Sequence, residues 1–304
     1  MAETLQPAAQ AAGPVQYLPA VQWYDVSDPN SPALDQLATR FRLHELQIED
    51  CRHRPQRAKT EEHDRYVFSV LKHLHNNGDM VFDDLDIFLG SDYLITVHAG
   101  EHRFVEKVRQ RAANDTSGRV DRLFYMIMDT VVDEYIPMLD GFADEISDIE
   151  AIVLECPDEK ILARILNNRR KLIEFRRIAG GMRDVVNILV RREGGMVGDD
   201  LDPYLRDIYD HLVRTVELIE MQQNLLVGAM EIYLSAVANR TNQIMKVLTL
   251  WGTIALPFVV VTGFFGMNLN LPWSDHPLGA LFAAGVMLAV GVFVLLYFRR
   301  KGWI

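Results

Sequence analysis

The chain has 304 residues, with 31 Lys plus Arg against 42 Asp plus Glu and a net charge of −11. So acidic a chain repels nucleic acid, and none is expected as a partner. Its two cysteines, Cys51 and Cys156, form no CxxC pair, which disfavours a disulfide framework or structural zinc and fits a reducing cytosol.

The opening "MAETLQPAAQAAGPVQ" lacks the basic start and continuous apolar core of a secretory signal. Its Ala, Gln and Pro content reads as a disordered lead-in over residues 1–18. Residues 19–115 read as an α/β domain. The runs "VQWYDVS", "RYVFSVLKHL" and "LDIFLGSDYLITVHA" are rich in Val, Ile, Tyr and Phe, as strands are. "SPALDQLATRF" places Ser31 before Pro32, a helix start. His73 and His75 share a strand face; with no third ligand near in sequence, a surface or packing role is expected rather than a metal site.

Beyond about residue 101 the pattern is helical. Pro157 and the "EGGMVG" stretch from Glu193 divide it. Residues 119–155 and 158–193 are expected to be the arms of an antiparallel hairpin within 116–198. The first arm carries Asp140, Asp144 and Asp148 at four-residue spacing, with Glu145 and Glu150 nearby; like charges so spaced repel. The second carries Arg164, Arg169, Arg170, Lys171, Arg176, Arg177 and Arg183. Either the two arms neutralise each other, or the acidic face concentrates divalent cations at a pore mouth. A third helix begins near Asp202, with Pro203 in its first turn and no breaker before Pro257. From 203 to 266 it would be roughly 95 Å long at about 1.5 Å per residue. Residues 199–246 of it read as a stalk.

From Val247 to Met267 and from Leu278 to Phe298 no residue is charged, and about 20 apolar residues cross a bilayer. The connection 268–277, "NLNLPWSDHP", holds no Lys or Arg, whereas Lys246 precedes the first span and Arg299, Arg300 and Lys301 open the tail 299–304. The positive-inside rule then gives a two-pass membrane protein with both termini cytoplasmic and the loop outside. Trp273, Tyr297 and Trp303 fall at the expected interfaces. Pro257 would kink the first span or free a carbonyl. Gly252, Gly263, Gly279, Gly285 and Gly291 would permit close helix packing. Two helices enclose no aqueous pore, so the pair is a membrane anchor or several copies surround an axis.

One face of the long helix carries Asn242, Met245, Thr249, Gly252, Leu256, Val259 and Gly263 at alternating three- and four-residue steps. An amide, a hydroxyl and two glycines suit a narrow wet conduit with apolar constrictions at Met245 and Leu256; an oligomer seam tolerant of small residues is the other reading. No GxxxxGK[ST], HExxH, GxSxG or strand-borne GxGxxG occurs, so no enzyme, catalytic residue or resident cofactor is expected.

The segments "TNQIMKVLTLWGTIALPFVVVTGFFGMN", "DPYLRDIYDH" and "FRRKGWI" resemble the CorA family of divalent metal-cation transporters, ZntB-like zinc members included. The resemblance implies an α/β cytoplasmic domain plus a long helical stalk and two transmembrane helices. It implies a CorA-like funnel, assembled as a homopentamer in a bacterial plasma or inner membrane, with the first span lining the pore and the second outside it. By the same resemblance Gly266, Met267 and Asn268 form the outer selectivity motif and Asn242 an inner polar ring. Asp207 matches an acidic residue that binds regulatory Mg²⁺ between subunits; the stretch matching its partner, "HLHNNGD", offers Asn76 and Asn77. The cargo expected is a divalent cation, Mg²⁺ first, with Co²⁺, Ni²⁺ or Zn²⁺ as the alternative. Magnesium-type members often carry an acidic loop after GMN, whereas this loop has only Asp275 and His276. Mg²⁺ sheds water reluctantly, and a ring of Asn268 amides would hydrogen-bond its hydration shell; capping the helix C-terminus is the plainer role for Asn268. A non-transporting sensor or scaffold anchored by the two spans is the competing function.

Overall fold

The computed structural model describes residues 21–76, 80–100, 103–115, 117–155, 157–192, 195–267 and 278–302. These form two compact units. One comprises the chain up to Ile152 together with Asp158–Ala229; the other comprises Val153–Pro157 and Met230–Ile304.

The first unit holds a sheet of β1 (Gln22–Val26), β2 (Lys59–His63), β3 (Tyr66–Asn76), β4 (Met80–Gly90) and β5 (Tyr93–Val97) in the order β1-β5-β4-β3-β2. β1 runs parallel to β5, pairing Trp23 with Leu94, and every other neighbour is antiparallel. β4 is buried on both faces from Asp84 to Gly90, which is why "LDIFLG" is apolar on both sides of the strand apart from Asp86 rather than alternating. One face packs Tyr24, Phe68, Phe88 and Ile95 against α1 (Pro32–Phe41) and α2 (Glu45–Arg52), through Leu34, Leu37, Ile48 and Cys51. As the sequence predicts, Ser31 caps α1 by accepting from the Ala33 amide at 3.2 Å, with Pro32 at its first position.

Helices cover the other face: α4 (Val120–Asp133) on β3, β4 and β5, and α6 (Glu159–Val190) on β2 and β3. α3 (Arg103–Ala113) packs on α4. The core encloses charge. Arg54 lies 2.5 Å from Asp86, whose side chain is fully buried, and the Lys72 ammonium pairs with Asp84. Burial pushes the Asp86 carboxyl up to about 7, against the lowering pull of Arg54. His73 is buried, its ring tilted against Phe104 and 3.2 Å from Glu134, so of the two roles expected for it the packing one holds; the His75 side chain lies outside the described residues.

The stretch expected as one arm, 119–155, is two helices, α4 and α5 (Tyr135–Glu155), with the break at Glu134. Pro137 accounts for it. Its ring would strike the Asp133 carbonyl four residues back, and it has no N–H to offer. α4 therefore ends at Asp133, and Pro137 falls in the first turn of α5, where proline is tolerated. Across the hairpin, Arg164 of α6 donates to Glu145 of α5 at 3.0 Å. Arg176, also on α6, turns to Glu220 at 2.6 Å instead. Asp140, Asp144 and Asp148 stay exposed. Charge neutralisation between the arms is thus partial.

After a short 3-10 turn (Asp199–Leu201), α7 (Asp202–Phe265) is a single 64-residue helix. Within the first unit its buried residues recur at three- and four-residue steps: Leu205, Ile208, Leu212, Thr215, Ile219, Gln222, Leu226 and Ala229. This is a heptad seam against the unit's own helices. Its polar members turn to backbone carbonyls: Thr215 donates to the His211 carbonyl at 2.8 Å, and the Gln222 amide nitrogen to the Leu139 carbonyl at 2.7 Å. α8 (Gly279–Arg300) completes the second unit.

Candidate functional site

α7 and α8 both hold stretches long and apolar enough to cross a membrane. On α8 the covered face is Ala283, Met287, Val290, Gly291, Val294 and Phe298, a helical stripe of mostly small and aliphatic groups. A Cβ built at Gly291 would lie 3.6 Å from the Phe258 ring of α7. Gly291 therefore does what the sequence reading asked of five glycines. At Gly252, Gly263 and Gly285 an added Cβ would meet nothing within 4 Å, so those three do not seat α8.

From Thr241 to Phe264 the half-buried positions of α7 are Leu250, Thr253, Ile254, Pro257 and Val261. The stripe of Asn242, Met245, Thr249, Gly252, Leu256, Val259 and Gly263 is exposed throughout, with Leu256 at 64% and Val259 at 66%. At about 100° per residue, Leu256 and Phe258 point roughly 160° apart. The stripe thus occupies the face of α7 turned away from α8. Among the described residues that face carries no cover from its own chain, and Leu256, Val259 and Met245 at such exposure demand lipid or another copy.

The backbone of this segment is also unusual. α7 continues through Pro257, whose missing N–H leaves the Thr253 carbonyl without its helical donor. The Thr253 hydroxyl donates to the Thr249 carbonyl at 2.7 Å, and the Thr262 hydroxyl to the Phe258 carbonyl at 2.7 Å, so both hydroxyl protons are turned back on the helix. At the end of the helix the Gly266 amide donates to the Thr262 carbonyl at 2.9 Å, and the Met267 amide reaches the Phe264 carbonyl at 3.4 Å. A Cβ at Gly266 would stand 3.0 Å from the Thr262 oxygen. The glycine lets this last carbonyl lie close without distortion. Met267 is exposed. Asn268, like the loop residues Asp275 and His276, lies outside the described residues.

Asp207 sits far down α7, in the first unit, and is exposed, 4.0 Å from His211 one turn on. Its charge reaches α4: the Asp133 carboxyl is raised by partial burial first, then by Asp129, with a further contribution from Asp207. Arg111, 2.5 Å from Asp129, offsets part of this. Among the described residues no group of three or more His, Cys, Asp or Glu side chains is disposed to hold a metal ion. Of the residues singled out in the sequence, the fold unites the stripe on one face and keeps Asp207 in the other unit. The heptad seam from Leu205 to Ala229 went unread in the sequence although its spacing was available: Thr215 and Gln222 interrupt its apolar character.

Residues 19–300 match the family model described as CorA-like Mg²⁺ transporter protein. The chain is 30% identical over 272 residues to the cobalt/magnesium transport protein CorA of Thermotoga maritima, covering 87% of this chain and 78% of that one. In fold it is similar to the complete structure of the CorA magnesium transporter from Methanocaldococcus jannaschii, with a TM-score of 0.84 at 24% identity over 94% of this chain and 92% of that one. It is also similar to the ZntB cytoplasmic domain of Vibrio parahaemolyticus, with a TM-score of 0.60 at 15% identity over 72% of this chain and 88% of that domain. An α/β unit, a long helix and two terminal apolar helices in this order, matched over nearly the whole length, place the chain in the CorA-like Mg²⁺ transporter family.

Proposed function

We propose that the chain is one subunit of a passive transporter for divalent cations, Mg²⁺ first, assembled as a homopentamer around the stripe of α7. The observation that carries this is the exposed stripe on the α7 face opposite α8. Several copies set about an axis would bury it. Asn242, Thr249, Gly252 and Gly263 would then offer polar or open positions, and Met245 and Leu256 the apolar constrictions at which a narrow pore dewets. Gly266, Met267 and Asn268 would form the outer mouth. Neutral amides there would hold a hydrated ion by its water shell, which suits an ion that dehydrates reluctantly and must be released again. With the basic ends cytoplasmic, an inside-negative potential supplies about 4.6 kcal/mol per 100 mV for a divalent ion, twice the single-charge figure, so uptake requires no ATP.

The cobalt/magnesium name of the Thermotoga relative supports the choice of cargo. The test is ion flux into liposomes holding the purified protein, with Mg²⁺, Zn²⁺, Co²⁺ and Ni²⁺ compared. Mg²⁺ flux driven by membrane potential is expected. Flux of Zn²⁺ alone would move the chain to a zinc function, and no flux of any of the four would leave a membrane-anchored sensor or scaffold.

A further inference from the structure

The first unit contains a cleft of about 710 Å³ between α6, α7 and the segment leading into β2, a size suited to a small ligand. Its lining is basic in a chain whose net charge is −11: Arg57, Lys72, Arg176, Arg177 and Arg183, against Asp184 alone. Three of these cations are already engaged, Lys72 with Asp84, Arg176 with Glu220, and Arg183 with Asp184 at 3.3 Å. Arg57 and Arg177 have no hydrogen bond or ion pair among the described residues, and both are exposed to the cleft's solvent. Two positive charges therefore stand uncompensated at one concavity.

The floor is the second observation. Gly180 and Gly181 lie side by side on the cleft-facing stripe of α6, inside a 32-residue helix. Glycine is among the poorest helix formers, and neither position has the positive φ that would call for it. An added Cβ would meet nothing within 4 Å at Gly180 and only the Ala58 Cβ, at 3.4 Å, at Gly181. Packing does not require these glycines. What they leave is open space beneath the arginines. Ile173 and Val216 supply apolar wall, and the Gln223 amide stands beside them.

We propose that this cleft binds a small organic polyphosphate of the nucleoside di- or triphosphate class. Its phosphates would lie on Arg57 and Arg177, whose planar forks match phosphate oxygens in pairs, and the flat face of its base over Gly180 against Ile173 and Val216. Inorganic phosphate would use the arginines but leave the apolar wall empty. The site is independent of the stripe of α7 and of the transport reading.

The experiment is isothermal titration of the full chain in detergent micelles, with EDTA present, using sodium ATP, sodium pyrophosphate and adenosine as probes. ATP is expected to bind more tightly than pyrophosphate, and adenosine not to register. Arg177→Gln and Arg57→Gln, both at exposed positions, are expected to weaken ATP binding by roughly tenfold or more each, the loss of one charge-assisted pair. Gly180→Leu, which fills open space without a backbone clash, is expected to abolish it while thermal unfolding stays unchanged. Absence of ATP binding to the wild-type chain overturns the proposal. So does ATP affinity unaltered in both Gly180→Leu and Arg177→Gln. A Gly180→Leu variant whose oligomeric mass changes while the wild type binds no ATP would assign the cleft to a second copy's acidic α5 face instead, and the proposal fails.

Discussion

Phe258 of α7 packs on Gly291 of α8, its ring 3.6 Å from where a Cβ at that glycine would be. This contact fixes which face of α7 the described residues of its own chain cover, and by exclusion which face is left for lipid or another copy. At 3.6 Å a methyl group makes ordinary contact, so Gly291→Ala is expected to be tolerated. Gly291→Leu would have to displace the ring and is expected to destabilise the helix pair by about 1–3 kcal/mol, as overpacked sites do. Thermal unfolding in detergent micelles compares the two; equal midpoints would show that the helices do not meet here.

Leu256 lies roughly 160° around α7 from that contact. If it forms a dewetting constriction, Leu256→Ala widens it and raises basal ion leak into liposomes. Unchanged leak would mean that the stripe faces lipid.

At the end of the span, Asn268→Ala is expected to abolish flux while the oligomer survives size-exclusion chromatography. Gly266→Ala is expected to reduce flux less severely, because its methyl group would press on the Thr262 oxygen at 3.0 Å and shift the terminal carbonyls by a few tenths of an ångström. Wild-type flux in the Asn268 variant would remove the amide from the selectivity role.

Asp207 is a regulator only if a divalent ion bridges it to a neighbouring subunit and favours the closed state by its differential affinity. Asp207→Ala should then keep the transporter active at internal Mg²⁺ that silences the wild type. Inhibition curves that superimpose would leave Asp207 as a solvated charge near a helix N-terminus, where an acid is favourable in any case. Its exposure and its 4.0 Å spacing from His211 fit either outcome.

Asp86 gives a pH dependence. Burial holds its carboxyl up at about 7 beside Arg54, whereas the unfolded chain releases that proton near 4. Between those values the native state binds more protons than the unfolded state, so this group's stabilising contribution is present at low pH and is lost as pH rises toward 7, at roughly 1 kcal/mol per pH unit. Against wild type, Asp86→Asn should therefore gain relative stability from pH 5 to pH 7. Parallel melting-temperature curves for the two proteins would show that Asp86 is ionised throughout.

The sequence by itself determined the broad order of the fold: strands mixed with helix, then helices, then two apolar spans. Strand composition, the Ser31–Pro32 cap, two uncharged runs of membrane length and the small-residue stripe are all local or periodic properties, and the fold keeps them. Even the break at Glu134 was written locally, in Pro137, although the helical pattern hid it. Tertiary structure decided whatever depends on partners distant in the chain. Spacing could not say which of five glycines seats α8, because any glycine permits contact and only the apposed helix selects Gly291. Composition could not say that Arg54 and Lys72 share the core with Asp86 and Asp84, since buried charges are recognised only by the partners that the sheet brings to them. Nor could the count of arginines on α6 reveal that Arg164 and Arg176 are paired while Arg177 faces an open cleft. The charges are in the sequence, but their neutralisation is a matter of distance, and distance is set by the fold.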